Sequence, residues 1–327
     1  MRGGKFMFFE KQILNTYRRI LYNRCDDTGT AYYFSTEDFA GLSREPYCFD
    51  SSLGHTLQGY FYSYENKKYS DRLVVFDHGF GGGHSAYMRE IEMLCRHGFT
   101  VFAYDHTGCM ESGGTGTNGL AQSLRDLDDC LHVLKADEKY KNKRFSIMGH
   151  SWGGFATMNI CALHPDVTHI VAMAGFPAAE ALFLCAAKGI LAPLRHVFLK
   201  EEAKSNPGYY DRSAFDALQN CNAPCLLIYG EKDMLCTKQG FYDPLRAALS
   251  DKKNISFFLA NGKGHNPNYT REAEKYLAQY GKERKKFIKS NPSEVQKAQF
   301  VASYDWLAMT DQDETVWEKI FEVLDRE

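Results

Sequence analysis

A serine between glycines, in the segment GHSWG (149–153), has the surroundings expected of a nucleophile. It directly follows the apolar run 145–148 and precedes the apolar segment FATMNICALH, a pattern that predicts a strand, a tight turn and a helix. The glycines allow a turn sharp enough to lift the Ser151 hydroxyl clear of the sheet edge. A tight turn without a chemical role is the alternative, but the position between strand and helix favours the nucleophile.

A serine hydroxyl needs a base to accept its proton, and histidine is the usual one. Of the eleven histidines, His265 is the best candidate, because it lies in the loop NGKGHNP (261–267) just after the last predicted strand. The glycines there allow the loop to bend over the sheet edge. His150 is next to the serine but is expected to point away across the turn. The other histidines that we considered fall in predicted helices, strands or a hairpin: His55, His97, His132, His164 and His169.

The base in turn needs a carboxylate that holds its tautomer. Asp233 lies in the segment GEKD (230–233), directly after the apolar run 225–229 and one predicted strand before His265. Glu231 is a local rival for this role and Asp243 a more distant one. The residues alone leave this choice open.

A glycine-rich segment, DHGFGGGH (77–84), follows another apolar run, 73–76. Its glycines allow the backbone to come close to a ligand. A loop that cradles phosphate is the alternative, but the segment lacks the lysine and the Ser/Thr of a P-loop and the full GxGxxG spacing.

The elements that would position these residues form a regular alternation. Short apolar runs predict strands that are buried on both faces, as in a parallel sheet, at 73–76, 99–104, 145–148, 169–174, 225–229 and 255–260. Helical patterns lie between them, and the clearest is the stripe Leu120, Leu124, Leu127, Leu131 and Leu134. This order predicts an α/β fold with a doubly wound, mostly parallel sheet, in which sites form at the carboxyl ends of strands.

Several segments depart from that alternation. The segment 176–222, about fifty residues between two predicted strands, is too long for one crossover helix and predicts a small helical cap. Residues 1–43 are interpreted as a helical extension and 44–327 as one domain that carries the cap. Residues 269–290 and 312–325 predict two further helices.

Composition excludes some classes of function. The net charge of −2 gives no basic surface for nucleic acid. The ten cysteines form no CxxC pair, so no metal site is expected, and unpaired thiols fit a cytoplasmic location. No apolar stretch is long enough to span a membrane.

Four motifs, HGFGGG, YDHTG (104–108), GHSWGG and GEKD…GKGH, together resemble the α/β-hydrolase superfamily, in particular its soluble bacterial carboxylesterase and lysophospholipase-like branch. The resemblance extends over residues 44–327. It implies that Asp233, rather than Glu231, is the acid, and that the backbone amides of Phe80 and Trp152 form the oxyanion hole. Cys109 stands near a position where the family often has a second glycine, which leaves the three reactive residues unaffected.

The resemblance implies hydrolysis of a small-molecule carboxylic ester through an acyl-enzyme, without a metal or organic cofactor. Thioesterase, acyltransferase, amidase and peptidase activities use the same residues and remain alternatives, as does a non-catalytic binding protein. Candidate substrate contacts are His84, Tyr87, Phe176, Phe183 and Leu191. The apolar cap residues among them are equally consistent with packing between cap and sheet. The sequence leaves the oligomeric state open.

Overall fold

The described residues form a single sheet of eight strands, which are numbered β1 to β8 along the chain and lie side by side in the order β1-β2-β4-β3-β5-β6-β7-β8. The computed structural model describes residues 2–186 and 195–327, with side chains from residue 11 onward. The strands are β1 (Ser43–Asp50), β2 (Thr56–Ser63), β3 (Arg72–Asp77), β4 (Thr100–Tyr104), β5 (Arg144–His150), β6 (His169–Met173), β7 (Cys225–Gly230) and β8 (Ile255–Ala260). β1 and β2 pair antiparallel, as do β2 and β4, and every later pair is parallel. The predicted doubly wound, mostly parallel sheet is confirmed.

The six apolar runs coincide with β3 to β8, and the residues of β3, β5, β6 and β7 are almost entirely buried. Alternate residues point to opposite faces of the sheet. Val74 and Phe76 belong to a core cluster with the helices α2 (Met88–His97) and α12 (Glu314–Leu324). Leu73 and Val75 belong to a cluster with α3 (Gln122–Ala136) and α4 (Trp152–Asn159). A strand covered on both faces has no solvated side, which is why these segments read as continuous apolar runs.

The helices are α1 (Arg2–Leu21), α2 (Met88–His97), α3 (Gln122–Ala136), α4 (Trp152–Asn159), α5 (Ala179–Ala186), α6 (Arg195–Ser205), α7 (Ala214–Gln219), α8 (Asp243–Ala248), α9 (Arg271–Lys289), α10 (Glu294–Ala302), α11 (Trp306–Met309) and α12 (Glu314–Leu324). The leucine stripe lies mostly in α3, whose four leucines are fully buried, but Leu120 precedes the helix. Among the described residues, no helix has the length and apolar character needed to cross a bilayer.

In the described parts of the segment between β6 and β7, where the cap is predicted, lie the helices α5, α6 and α7. The N-terminal helix packs against them, since the Tyr17 ring lies edge-on to Phe198 at 4.6 Å and Arg18 pairs with Glu201. Glu202 is buried in α6 and accepts hydrogen bonds from the amides of Leu120 and Ala121 at 2.9 and 3.0 Å. These contacts hold α6 between α1 and the body of the protein. The predicted domain boundaries and the role of the segment as a cap stay predictions.

Register places the ends of the central strands side by side. Asp77 is opposite Gly149, His150 is opposite Met173, and Gly230 is opposite Ala260. The loops that leave β3, β5, β7 and β8 therefore emerge at the same edge of the sheet, and these loops carry the predicted reactive residues.

His169, the first residue of β6, gives the fold a pH-dependent stability. It lies buried between the Ser146 hydroxyl and the carbonyl of Arg326, each 2.9 Å from a ring nitrogen. Burial lowers its pKa to about 4, whereas an unfolded histidine has a pKa of about 6.5. The unfolded chain therefore binds a proton that the folded chain excludes, and the free energy of unfolding falls as the pH drops from about 6.5 to about 4.

We expect His169→Gln to reduce this acid-induced loss by about 1–2 kcal/mol between pH 7 and pH 4.5, because glutamine does not titrate. Urea unfolding of both proteins at the two pH values measures it. His132→Gln is the control, since the His132 side chain is 69% exposed. An equal loss of stability in the wild type and His169→Gln would contradict the assignment.

Candidate active site

Ser151 occupies a strained turn between β5 and α4. Its φ of 56° lies in the left-handed region that side chains rarely adopt. Gly153 is required beside it, because a Cβ at that position would collide with the backbone carbonyl of Asp77 at the end of β3. The turn places Ser151 at the amino end of α4, where the partial positive charge of the helix favours a developing negative charge.

The structure brings Ser151, His265 and Asp233 together. His265 Nε2 lies 2.9 Å from Ser151 Oγ, and His265 Nδ1 lies 2.8 Å from Asp233 Oδ2. The other oxygen of Asp233 accepts hydrogen bonds from the amides of Leu235 and Cys236 at 2.8 and 3.0 Å. The carboxylate is thus held from both sides, and one histidine joins it to the hydroxyl.

The negative charge of the Asp233 carboxylate is stabilised by its neighbours. Burial alone would raise the pKa of this carboxyl, but the hydrogen bond and charge attraction from His265, with the two backbone amides, hold it below its usual value. Glu231, the alternative acid, accepts a hydrogen bond from the Gly262 amide at 2.8 Å. Asp243 forms an ion pair with Lys238. Of the three carboxylates, Asp233 is the one that contacts His265.

The two predicted oxyanion donors are the backbone amides of two residues whose side chains are in contact. The aromatic rings of Phe80 and Trp152 meet edge to face with 5.2 Å between their centroids. Neither backbone amide donates to another group within residues 2–186 and 195–327. The Trp152 ring is anchored from below, since its Nε1 donates to the Leu120 carbonyl at 2.6 Å. Two free amides beside a serine are the arrangement that stabilises a tetrahedral oxyanion.

A series of hydrogen bonds joins the glycine-rich loop to the loop that carries His265. The Gly79 amide donates to the Tyr87 hydroxyl at 3.1 Å, and this hydroxyl donates to His150 Nδ1 at 2.9 Å. His150 Nε2 then donates to the backbone carbonyl of His265 at 2.7 Å. Burial and the proximity of His265 lower the pKa of His150 to about 3, so it stays neutral and keeps the tautomer that this series requires. Tyr87 is a predicted substrate contact, but its hydroxyl already accepts one hydrogen bond and donates another in this series.

Sequence reasoning missed the role of His150, which was expected to point away. Only its position next to Ser151 could have signalled it, because its partners come from elements far away in the chain. The structure also reassigns His84 from substrate contact to support. Its ring nitrogens contact Asp105 at 2.7 Å and the Tyr62 hydroxyl at 2.9 Å, and the side chain is buried. No ring nitrogen of His84 is left for a substrate.

A buried charged cluster lies beneath the glycine-rich loop. His106 sits between Asp77 and Asp126, with contacts of 2.9 and 3.3 Å, and all three side chains are fully buried. Burial alone would lower the pKa of His106, but the two carboxylates raise it to about 10. The His106 amide donates to His78 Nε2 at 2.9 Å, which connects this cluster to the loop.

The predicted cap contacts have different positions. Phe176 is 2% exposed and stacks on Phe155 at 4.8 Å, so it packs in the core. Phe183 packs against Phe198 of α6 at 3.8 Å. Leu191 lies outside the described residues.

One group of potential metal ligands lies outside this site in the described part of the chain: Asp128, His132 and His164. Lys135 Nζ donates to His164 Nδ1 at 3.0 Å. His164 Nε2 therefore carries the proton and donates to Asp128 at 2.8 Å. With that tautomer, His164 directs no lone pair at the group, so we assign it no metal.

The comparisons with known proteins agree with the observed fold. A family model described as serine aminopeptidase, S33, matches residues 68–206, less than half of the chain. This match includes the glycine-rich loop and Ser151 but ends before Asp233 and His265.

Two solved structures are similar over most of the chain. An esterase of Pyrococcus furiosus is 19% identical with a TM-score of 0.59, over 82% of this chain and 98% of that one. An acetyl xylan esterase from a Paenibacillus species is 14% identical with a TM-score of 0.55, over 77% of this chain and 94% of that one. The sheet order, the turn at Ser151 and these matches together show that the chain has the α/β-hydrolase fold.

Proposed function

We propose that this protein is a serine hydrolase that cleaves a carboxylic ester through an acyl-enzyme. The observation that carries the proposal is the series of two hydrogen bonds from Ser151 through His265 to Asp233, at 2.9 and 2.8 Å. In this arrangement a histidine can take the serine proton while the carboxylate stabilises the imidazolium.

The reaction follows from these positions. Ser151 Oγ attacks the ester carbonyl while His265 Nε2 takes its proton, and the amides of Phe80 and Trp152 bind the oxyanion. As the intermediate collapses, His265 returns the proton to the leaving alcohol. Water then attacks the acyl-enzyme with His265 again as the base, and Ser151 is released. No step requires a metal or a cofactor.

The names of the similar proteins support two substrate classes. The two solved structures are named as esterases, which supports an ester. The matched family model is described as a serine aminopeptidase, which favours an amide as the second candidate. Turnover of p-nitrophenyl acetate against amino-acid p-nitroanilides distinguishes them. Thioesterase and acyltransferase activity would need the corresponding thioester and acceptor alcohol as probes.

A cytoplasmic location belongs to this proposal. All ten cysteines are free thiols, although Cys221 and Cys225 have their sulfur atoms only 3.8 Å apart. Unpaired thiols in a chain of this size are typical of a reducing compartment.

We expect Ser151→Ala to lower kcat for p-nitrophenyl acetate by about 10⁴-fold or more and to abolish labelling by a fluorophosphonate probe. The fold should persist, because the change removes one oxygen at the sheet edge. Circular dichroism checks the fold, and Ser250→Ala, at an exposed serine, is the matched control. Near-wild-type turnover or labelling in Ser151→Ala would refute the assignment of the nucleophile.

We expect Asp233→Asn to lower kcat by about 10²–10⁴-fold, because an amide in place of the carboxylate no longer favours the working tautomer of His265. Glu231→Gln should change kcat by less than about 3-fold, because in the part of the chain that the structure describes the Glu231 carboxylate makes a hydrogen bond only with the Gly262 amide. Steady-state kinetics of both purified variants decides between the carboxylates. A larger loss in Glu231→Gln would reverse the choice.

A further inference from the structure

A cleft of about 310 Å³ lies next to the glycine-rich loop, on the side of the loop that carries His265. Its walls come from residues 79–82 of the glycine-rich loop, from residues 31–34 near the N-terminus, and from α9 and α11. These N-terminal and C-terminal segments lie outside the matched part of the family model, residues 68–206. The cleft is therefore built by parts of the chain that surround the hydrolase core.

The lining of the cleft is mainly aromatic. Tyr33, Tyr280 and Trp306 face it from the outer segments, and Phe80 and Tyr87 from the glycine-rich loop. The rings of Tyr280 and Trp306 pack edge to face at 5.1 Å, which gives that wall a rigid surface. Rigid aromatic walls favour a flat apolar group, because rings stack or pack edge-on with little loss of conformational entropy.

One cation, Arg284, also lines this cleft. Its Nε donates to Thr30 Oγ1 at 2.7 Å and one terminal nitrogen donates to Thr28 Oγ1 at 3.0 Å. Thr30 is itself fully buried, and its carbonyl accepts a hydrogen bond from the Tyr280 hydroxyl at 2.8 Å. Arg284 is thus held in place by neutral oxygens.

The charge of Arg284 has no ion-pair partner in the part of the chain that the structure describes. The second terminal nitrogen makes no hydrogen bond there, and no carboxylate lies within 4.0 Å. Asp27, an exposed acid next to Thr28 in the chain, accepts the Gly29 amide instead. A positioned guanidinium with free donors is suited to a carboxylate or phosphate group, which it binds with charge-assisted hydrogen bonds.

The position of the cleft shows which part of a substrate would enter it. Gly79 and Phe80 of the glycine-rich loop line the cleft, and so does Asn266, the neighbour of His265. His265 must deliver its proton to the leaving oxygen, so the leaving group lies on the histidine side of the scissile bond. The cleft is on that side.

We infer that this cleft binds the leaving group of the substrate, and that the group is an aryl alcohol with an anionic substituent that contacts Arg284. The inference rests on the proposed ester hydrolysis. The bond from Ser151 Oγ to the acyl carbon forms, the bond from that carbon to the aryl oxygen breaks, and the proton of His265 passes to this oxygen. The products are the phenol and, after water has attacked, the carboxylic acid and free Ser151.

The test compares kcat/KM for 4-carboxyphenyl acetate and 4-acetoxyphenyl phosphate with that for the neutral methyl ester of 4-acetoxybenzoic acid. The ratio of anionic to neutral ester within one enzyme is compared between variants, which cancels the intrinsic reactivity of each leaving group. We expect Arg284→Gln to lower this ratio by about 10-fold, mainly through KM, and Arg284→Lys to restore part of it. The two anionic esters show whether carboxylate or phosphate fits better.

Arg271→Gln is the matched control, because Arg271 is on the same helix but donates to the Asn261 carbonyl at an exposed position. It should leave the ratio unchanged. An unchanged ratio in Arg284→Gln, or an equal loss in Arg271→Gln, would overturn the inference.

A binding measurement separates this inference from the proposed activity. Calorimetric titration of Ser151→Ala with 4-hydroxybenzoate, the product of the carboxylated ester, should show binding that Arg284→Gln in the same background weakens about 10-fold. Binding without turnover in the wild type would refute the hydrolase and retain the anion-binding cleft. Turnover of esters without this binding would retain the hydrolase and refute the cleft.

Discussion

The close approach of Gly153 to the end of β3 is the contact on which the rest of the site depends. At this position the start of α4 touches the backbone carbonyls of Asp77 and His78, with no room for a side chain. Asp77 and His78 begin the glycine-rich segment 77–84, so the contact joins the start of α4 to the loop that carries Phe80. Ser151 precedes α4 directly, with its backbone in the left-handed region. The missing Cβ at Gly153 therefore allows the candidate nucleophile to lie next to the glycine-rich loop.

Buried polar groups fix the positions of the glycine-rich loop and of the loop that carries His265. His106 and its two carboxylates support the glycine-rich loop from below, and the chain from Gly79 through Tyr87 and His150 reaches the carbonyl of His265. Such groups are costly to bury without partners, so each has a strong preference for one arrangement. For the proposed reaction this rigidity matters, because a misplacement of about 1 Å between reacting groups can lower the rate about 100-fold.

Segments outside the sheet form two further groups of contacts. Helix α1 contacts α6 of the insertion, and residues 31–34 line a cleft together with α9, α11 and the glycine-rich loop. The cleft thus combines residues from the two ends of the chain with the loop that follows β3. This is consistent with a common fold that sets the chemistry while added segments set what is bound.

The sequence by itself determined the strands β3 to β8, the turn at Ser151 and the loop that carries His265. Each follows from a local property: a run of apolar residues, glycines around one serine, or glycines around one histidine. The tertiary structure decided the contacts between distant segments. Glu231 and Asp233 are two residues apart in one loop, and only its folded path shows that Asp233 reaches His265. His150 and His84 turned out to be supports, Phe176 a core residue, and Arg284 a cation beside the site. Their partners are up to about 250 residues away along the chain, and no local pattern encodes such a distance.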